Sequence, residues 1–163
     1  MKTLLIVWHS MTGGSKALAE AAFAGAQGED GATVRILYAD DAQPADMLAS
    51  AGYLFVFPEN LAAISGVMKA FFDRCYYPCL GRIEGRPYAL MICAGSDGSN
   101  AVRQAERIAT GWRLKKVADS KIIFTQAQTP DAIMRQKMIS ESELKAASAT
   151  GKALVAGLAL GIF

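Results

Sequence analysis

The sequence predicts an α/β fold: a three-layer sandwich with helices on both faces of a five-stranded parallel sheet. Three observations carry that reading. Short apolar runs alternate along the chain with longer stretches of helical periodicity. The runs are apolar almost throughout, not only at every second residue, as strands buried on both faces should be. The chain has 163 residues, of which 52% are hydrophobic and 20% charged. That excludes a disordered chain and suits one domain, residues 1–163, with a full core.

Each element follows in order. Thr3–Trp8 (TLLIVW) is the first strand, and Ser15–Gln27 is an alanine-rich helix. Ala32–Tyr38 (ATVRILY) is the second strand, and Pro44–Ala51 is a short helix opened by its proline. Tyr53–Phe57 (YLFVF) is the third strand, closed by Pro58. Ser65–Cys75 is helical, with Val67, Met68, Phe71 and Phe72 at core-facing spacing. Tyr88–Cys93 (YALMIC) is the fourth strand, Ser99–Trp112 a helix, and Lys121–Thr125 the fifth strand. Gln126–Ile139 is irregular, either a surface loop or an extra short helix. Ser140–Leu160 is a long final helix. Each crossover should be right-handed.

Charge and cysteine usage narrow the class of function. Lys and Arg number 17 and Asp and Glu 15, a net charge of +2. That balance argues against a basic nucleic-acid surface and against an acidic tail. The three cysteines, Cys75, Cys79 and Cys93, form an odd set without a secretory signal, which reads as reduced and cytoplasmic. The apolar start is interrupted by Trp8, His9 and Ser10 and is not a signal peptide. Ala153–Phe163 falls well short of the about 20 residues of a bilayer span, so it reads as a buried helix end of a soluble protein. Twenty-nine alanines and 15 glycines allow close backbone approach, between elements or to a ligand.

In open parallel sheets, ligands bind outside the carboxyl ends of the strands. Three loops leave those ends. The first is Ser10-Met11-Thr12-Gly13-Gly14-Ser15, which opens a helix. Its glycines free the backbone, its hydroxyls donate, and the helix start offers unpaired amides, a combination that holds a phosphate without a cationic side chain. It contains neither a triphosphate P-loop nor a dinucleotide Gly-x-Gly-x-x-Gly. A plain strand-to-helix turn would use the same residues. The second loop runs from Pro58-Glu59-Asn60-Leu61-Ala62 to Ser65, a candidate helix cap, and Gly66. Lys69 and Asp73 beyond it form a solvated i,i+4 pair. The third, Ala94-Gly95-Ser96-Asp97-Gly98-Ser99, offers hydroxyls and amides to a planar ring, or is an ordinary Asp-Gly turn with Ser99 capping the next helix.

These segments together resemble the flavodoxin-like family, on its NAD(P)H-dependent FMN reductase and quinone reductase branch. Ser10-x-Thr12-Gly13-x-Ser15 matches the flavodoxin phosphate-loop pattern Ser/Thr-x-Thr-Gly-x-Ser/Thr. Pro58-Glu59, then Ile64, Gly66, Lys69 and Asp73, match without gaps the reductase segment Pro-Glu-Tyr-Asn-Gly-Ser-Ile-Pro-Gly-x-Leu-Lys-Asn-x-x-Asp. The chain departs from that segment at Asn60-Leu61-Ala62-Ala63, where the reductases have Tyr-Asn-Gly-Ser against the flavin. Leu61 is expected to pack on the ring in their place and Asn60 to bond its polar edge.

The resemblance implies strand order 2-1-3-4-5 and FMN at the switch point. It implies an FMN-dependent oxidoreductase that takes electrons from NADH or NADPH and passes them to a quinone, flavin or similar small acceptor, in a homodimer or tetramer. The implied cofactor-binding residues are Ser10, Met11, Thr12, Gly13, Gly14, Ser15, Pro58, Glu59, Asn60, Leu61, Ala62, Ala94, Gly95, Ser96, Asp97 and Gly98. An electron carrier of the flavodoxin type, without its own reductase activity, is the alternative; the mild positive charge speaks against it. The chemistry is flavin-borne, so no catalytic side chain is expected. His9 reads as a satisfied structural residue and Trp8 as core. Cys75 and Cys79 read as structural, because their pair lacks the second half of a metal site.

Overall fold

A computed structural model describes residues 1–163. The chain forms β1 (Lys2–Trp8), α1 (Gly14–Gln27), β2 (Ala32–Tyr38), α2 (Pro44–Ala49) and β3 (Gly52–Asn60). A short β4 (Ala63–Ile64), α3 (Gly66–Cys79), β5 (Pro87–Ala94) and α4 (Ser99–Gly111) follow. Then come β6 (Lys115–Lys116), β7 (Lys121–Phe124), α5 (Pro130–Met134) and α6 (Glu141–Leu160). The sheet runs β2-β1-β3-β5, all parallel, with β6 and β7 both on the far side of β5. β6 pairs with the start of β5 and β7 with its end, so the two pieces share the fifth position. The order is the flavodoxin-like one.

The sheet separates two cores, because successive side chains of a strand face opposite ways. Leu5, Val7, Tyr53, Phe55, Phe57, Leu90 and Ile92 face α2, α3 and α4. Leu4, Ile6, Leu54, Val56, Ala89, Met91 and Cys93 face α1 and α6. The first core is aromatic: Phe55, Phe71 and Phe72 pack with ring centroids 5.2–6.1 Å apart. The second is built of small residues. Any side chain at Gly25 would overlap the Ser148 carbonyl, and any at Gly151 the Ala22 carbonyl. Part of the alanine and glycine excess therefore serves the contact between α1 and α6. Helix α6 starts on a reciprocal cap between Ser140 and Glu143. Its apolar end is buried on one side only, and Leu160 and Ile162 are exposed. No helix is long and apolar enough to cross a membrane.

Four expectations need correction. Pro58 does not close β3, which continues to Asn60. Trp8 is the last β1 residue in register with β3, opposite Val56, so the side of Pro58 that lacks an N–H faces no strand. Ser65 stands at the start of α3 but does not cap it; its hydroxyl bonds His9 Nδ1 at 2.8 Å. Ser99 does not cap α4, because Gly98 occupies that place with φ 79°. Helix α3 runs on to Cys79, past Pro78.

Candidate functional site

One cleft, of about 560 Å³, opens at the carboxyl ends of β1, β3 and β5, at the switch between β1 and β3. Its size suits a cofactor. The first wall is the loop after β1, contributing Ser10, Met11, Thr12, Gly14 and Ser15. Ser10 Oγ accepts the Gly13 amide at 2.9 Å and closes a tight turn. Gly13 begins α1 in the left-handed region, at φ 92°, where a side chain is strained. A Cβ on Gly14 would stand 2.7 Å from Cys93 Sγ, so only glycine lets the helix start sit this low.

That position leaves donors without acceptors. The amides of Gly14 and Ser15 belong to the first turn of α1 and precede any acceptor in their helix. The Ser15 hydroxyl is buried and has no hydrogen-bond partner of good geometry, only a weak contact with the Cys93 thiol. Buried polar groups are almost always paired, and leaving one unpaired costs about 1–3 kcal/mol. A hydroxyl without a strong acceptor, beside free amides at the positive end of a 14-residue helix, fits an anion such as a phosphate.

The second wall is the loop after β3, with Pro58, Glu59, Asn60 and Leu61. β3 and β4 form a hairpin in which Asn60 pairs with Ala63 across a two-residue turn. Both turn residues have positive φ, 51° at Leu61 and 59° at Ala62. This is the turn geometry that favours Asn-Gly, the pair the reductase pattern carries here. The departure at Leu61-Ala62 thus keeps the backbone shape at the cost of strain. Helix α4 holds the turn from outside. The Asn100 amide donates to the Ala62 carbonyl, and Gln104 Oε1 accepts the Ile64 amide at 3.0 Å. Leu61 is fully exposed at the rim. Glu59 is the only carboxylate of the cleft, and its oxygens accept the amides of Gly98 at 2.9 Å and Ala101 at 3.4 Å. It therefore does the work of an N-cap for α4, in place of the hydroxyl expected from Ser99.

The third loop contributes only its start, Cys93, Ala94 and Gly95. Ser96 and Asp97 are exposed and Gly98 is buried against Ile122, all away from the cleft lining. The Asp97 carboxylate accepts the Ser99 amide, and the Ser99 hydroxyl and amide hold its pKa below the ordinary carboxylate value. Of the expected cofactor-binding residues, Gly13, Ala62, Ser96, Asp97 and Gly98 do not line the cleft, and the other eleven do.

The segment after β7 lines the fourth side and was not among the expected site residues. Thr125, Ala127, Ile133, Met134 and Lys137 line it, α5 lies within it, and it rests on the first wall. The Lys137 amide donates to the Thr12 carbonyl at 2.8 Å, and Gln136 lies over Gly13. The signal was available: this stretch leaves the carboxyl end of the fifth strand, so the rule that selected the other loops applies to it as well.

Trp8 does not line the cleft; it packs edge-to-face on Tyr38, centroids 5.0 Å apart. His9 is buried and its pKa is lowered, chiefly by burial, with Asp40 opposing. Its bond to Ser65 ties the first loop to α3, a structural role. Cys75 and Cys79 are buried in the aromatic core.

The sequence model of the family described as NADPH-dependent FMN reductase matches residues 38–129, more than half of the chain. The chain belongs to that family. The match contains the strained hairpin and the third loop, while the Ser10–Ser15 loop lies before it. A flavodoxin of Aquifex aeolicus is 32% identical over 103 residues, 63% of this chain and 56% of that protein. The chain thus matches little more than half the length of this relative. Among solved structures, a flavodoxin from the domain Archaea has TM-score 0.76 at 13% identity, covering 96% of this chain and 98% of its own. A WrbA-like flavodoxin from Agrobacterium tumefaciens has TM-score 0.74 at 19% identity, covering 99% of both chains. These two likenesses establish the fold as flavodoxin-like.

Proposed function

We propose that residues 1–163 form one FMN-binding domain acting as an oxidoreductase. In this reading it takes electrons from NADH or NADPH and passes them to a quinone or similar small acceptor. The orphaned Ser15 hydroxyl beside the free amides of Gly14 and Ser15 carries the reading, because it is a buried donor set in want of an anion. Membership of the FMN reductase family supports it. Bound FMN would supply hydride acceptance and two-electron transfer.

The chain's own residues bind and orient. Thr12 and Ser15 donate hydroxyls to the phosphate, and the Gly14 and Ser15 amides add the helix dipole. Asn60 and Leu61 face the ring from the hairpin, whose shape Asn100 and Gln104 fix. Ala94 and Gly95 let the backbone approach from the other side. The apolar rim of Met11, Leu61, Ile133 and Met134 shields one mouth of the cleft from water.

The 32% identity to a flavodoxin favours a second reading, an electron carrier that needs a separate reductase. Steady-state kinetics separates the two. Purified protein loaded with FMN is expected to oxidise NADH or NADPH catalytically with a benzoquinone as acceptor. FMN uptake without turnover on either nicotinamide would establish the carrier. No flavin spectrum after incubation with FMN would defeat both.

A further inference from the structure

Lys137 is the only cation among the residues lining the cleft. Its backbone is fixed on the first wall by the bond to Thr12, and its Cβ stands 3.4 Å from where a Gly14 side chain would begin. Its ammonium group spends all three donors on carbonyls at the end of α5: Ala132 at 2.9 Å, Ile133 at 2.7 Å and Arg135 at 2.6 Å. The side chain is thereby anchored, so its charge is held at the end of α5 along the cleft lining. That charge reaches the cleft floor, where with the Ser15 hydroxyl it opposes the effects of burial and of the Glu143 carboxylate on the Cys93 thiol. The one carboxylate of the cleft, Glu59, turns its oxygens to the α4 amides and not toward this ammonium. The remaining donors of the first wall are neutral. They bind a phosphate by hydrogen bonds and dipole but add no net charge.

We propose that Lys137 is the specificity-determining residue for the phosphate. Its fixed charge makes the cleft prefer the phosphorylated flavin over the same ring system without phosphate, while its carbonyl bonds strap the α5 segment onto the phosphate loop. The proposal rests on the FMN reading. It deepens that reading by moving part of the phosphate recognition onto a segment outside the loop.

The test compares FMN with riboflavin, which shares the ring and lacks the phosphate, by quenching of flavin fluorescence. Lys137→Met should weaken FMN binding about tenfold, the scale of one charge pair at intermediate dielectric, and leave riboflavin within about twofold. Lys137→Arg should hold FMN within about threefold of wild type, because the charge stays. The FMN affinity of wild type should fall with added salt, and Lys137→Met should flatten that dependence. An equal loss for both flavins would mean that only the strap matters, and would overturn the proposal. So would an unchanged FMN affinity. Should Lys137→Met fail to fold, Lys137→Gln keeps a donor for α5 and is read in the same way. A wild type that binds both flavins equally overturns this inference alone. A wild type that binds neither removes the FMN reading with it.

Discussion

Ser15 illustrates how a single residue separates binding from stability. Its hydroxyl is buried with no partner but the weakly interacting Cys93 thiol, so the ligand-free fold gains little from it. Ser15→Ala should therefore leave the melting of the FMN-free protein unchanged, or raise its stability by up to about 1 kcal/mol. The same change should weaken FMN binding about 10- to 100-fold, as loss of a hydrogen bond to a charged group does. Thermal melts with and without FMN check both signs at once. A large loss of stability without FMN would mean that the hydroxyl serves the fold. His9 shows the opposite case. It too stands by the loop, but Ser65 satisfies it. A lone histidine at a strand end was legible as structural, whereas its partner was not. Ser65 occupies a helix-start position and had every local reason to cap α3.

The β3–β4 hairpin is the element where sequence and geometry disagree most. A two-residue turn with both φ values positive costs an alanine about 1–2 kcal/mol at its left-handed position. The Asn100 and Gln104 bonds hold it there. Ala62→Gly relieves the strain and loosens the unfolded chain by about 0.4–1 kcal/mol, so a net gain of about 0.5–1 kcal/mol is expected. Urea denaturation should show a higher midpoint at unchanged slope. A lower midpoint would mean that the alanine methyl contributes packing there. Strands and most helices were legible because runs buried on both faces announce a parallel sheet, while their order came only with the resemblance to flavodoxin-like proteins. The hairpin was not, since Leu61-Ala62 carries no turn chemistry, and Pro58 suggested an end where the sheet had already opened on that side. Glu59 as the α4 cap was also out of reach, because the bond joins residues 39 positions apart.

At the scale of the molecule, the sheet divides the chain into two cores that answer differently to the cofactor. Cys93 belongs to the small-residue core and lies directly beneath Gly14 at the cleft floor. Cys75 and Cys79 lie in the aromatic core on the other face. That only Cys93 stands at the cleft was hidden in the sequence, where all three read simply as reduced thiols. Burial pushes Cys93 up to about 11 and Cys75 to about 12, and Cys79 upward as well. Folded thiols therefore hold their protons below pH 9.0, the ordinary thiol value. As pH rises above it the unfolded chain ionises first and stability falls. At pH 8 the native chain is thus unreactive, and alkylation must wait for an opening that exposes a thiol. Lifting α1 from β5 suffices for Cys93, and that same movement dismantles the phosphate loop. In the proposed reading FMN binds only the closed form, so at a concentration of about 100 times its dissociation constant it should slow Cys93 modification about 100-fold. Cys75 and Cys79 should respond less, because their core can open while the cleft stays formed. Mass spectrometry of timed iodoacetamide labelling follows the three sites separately. Equal protection at all three would mean that the molecule opens only as a whole, and unchanged labelling at Cys93 would place the flavin elsewhere.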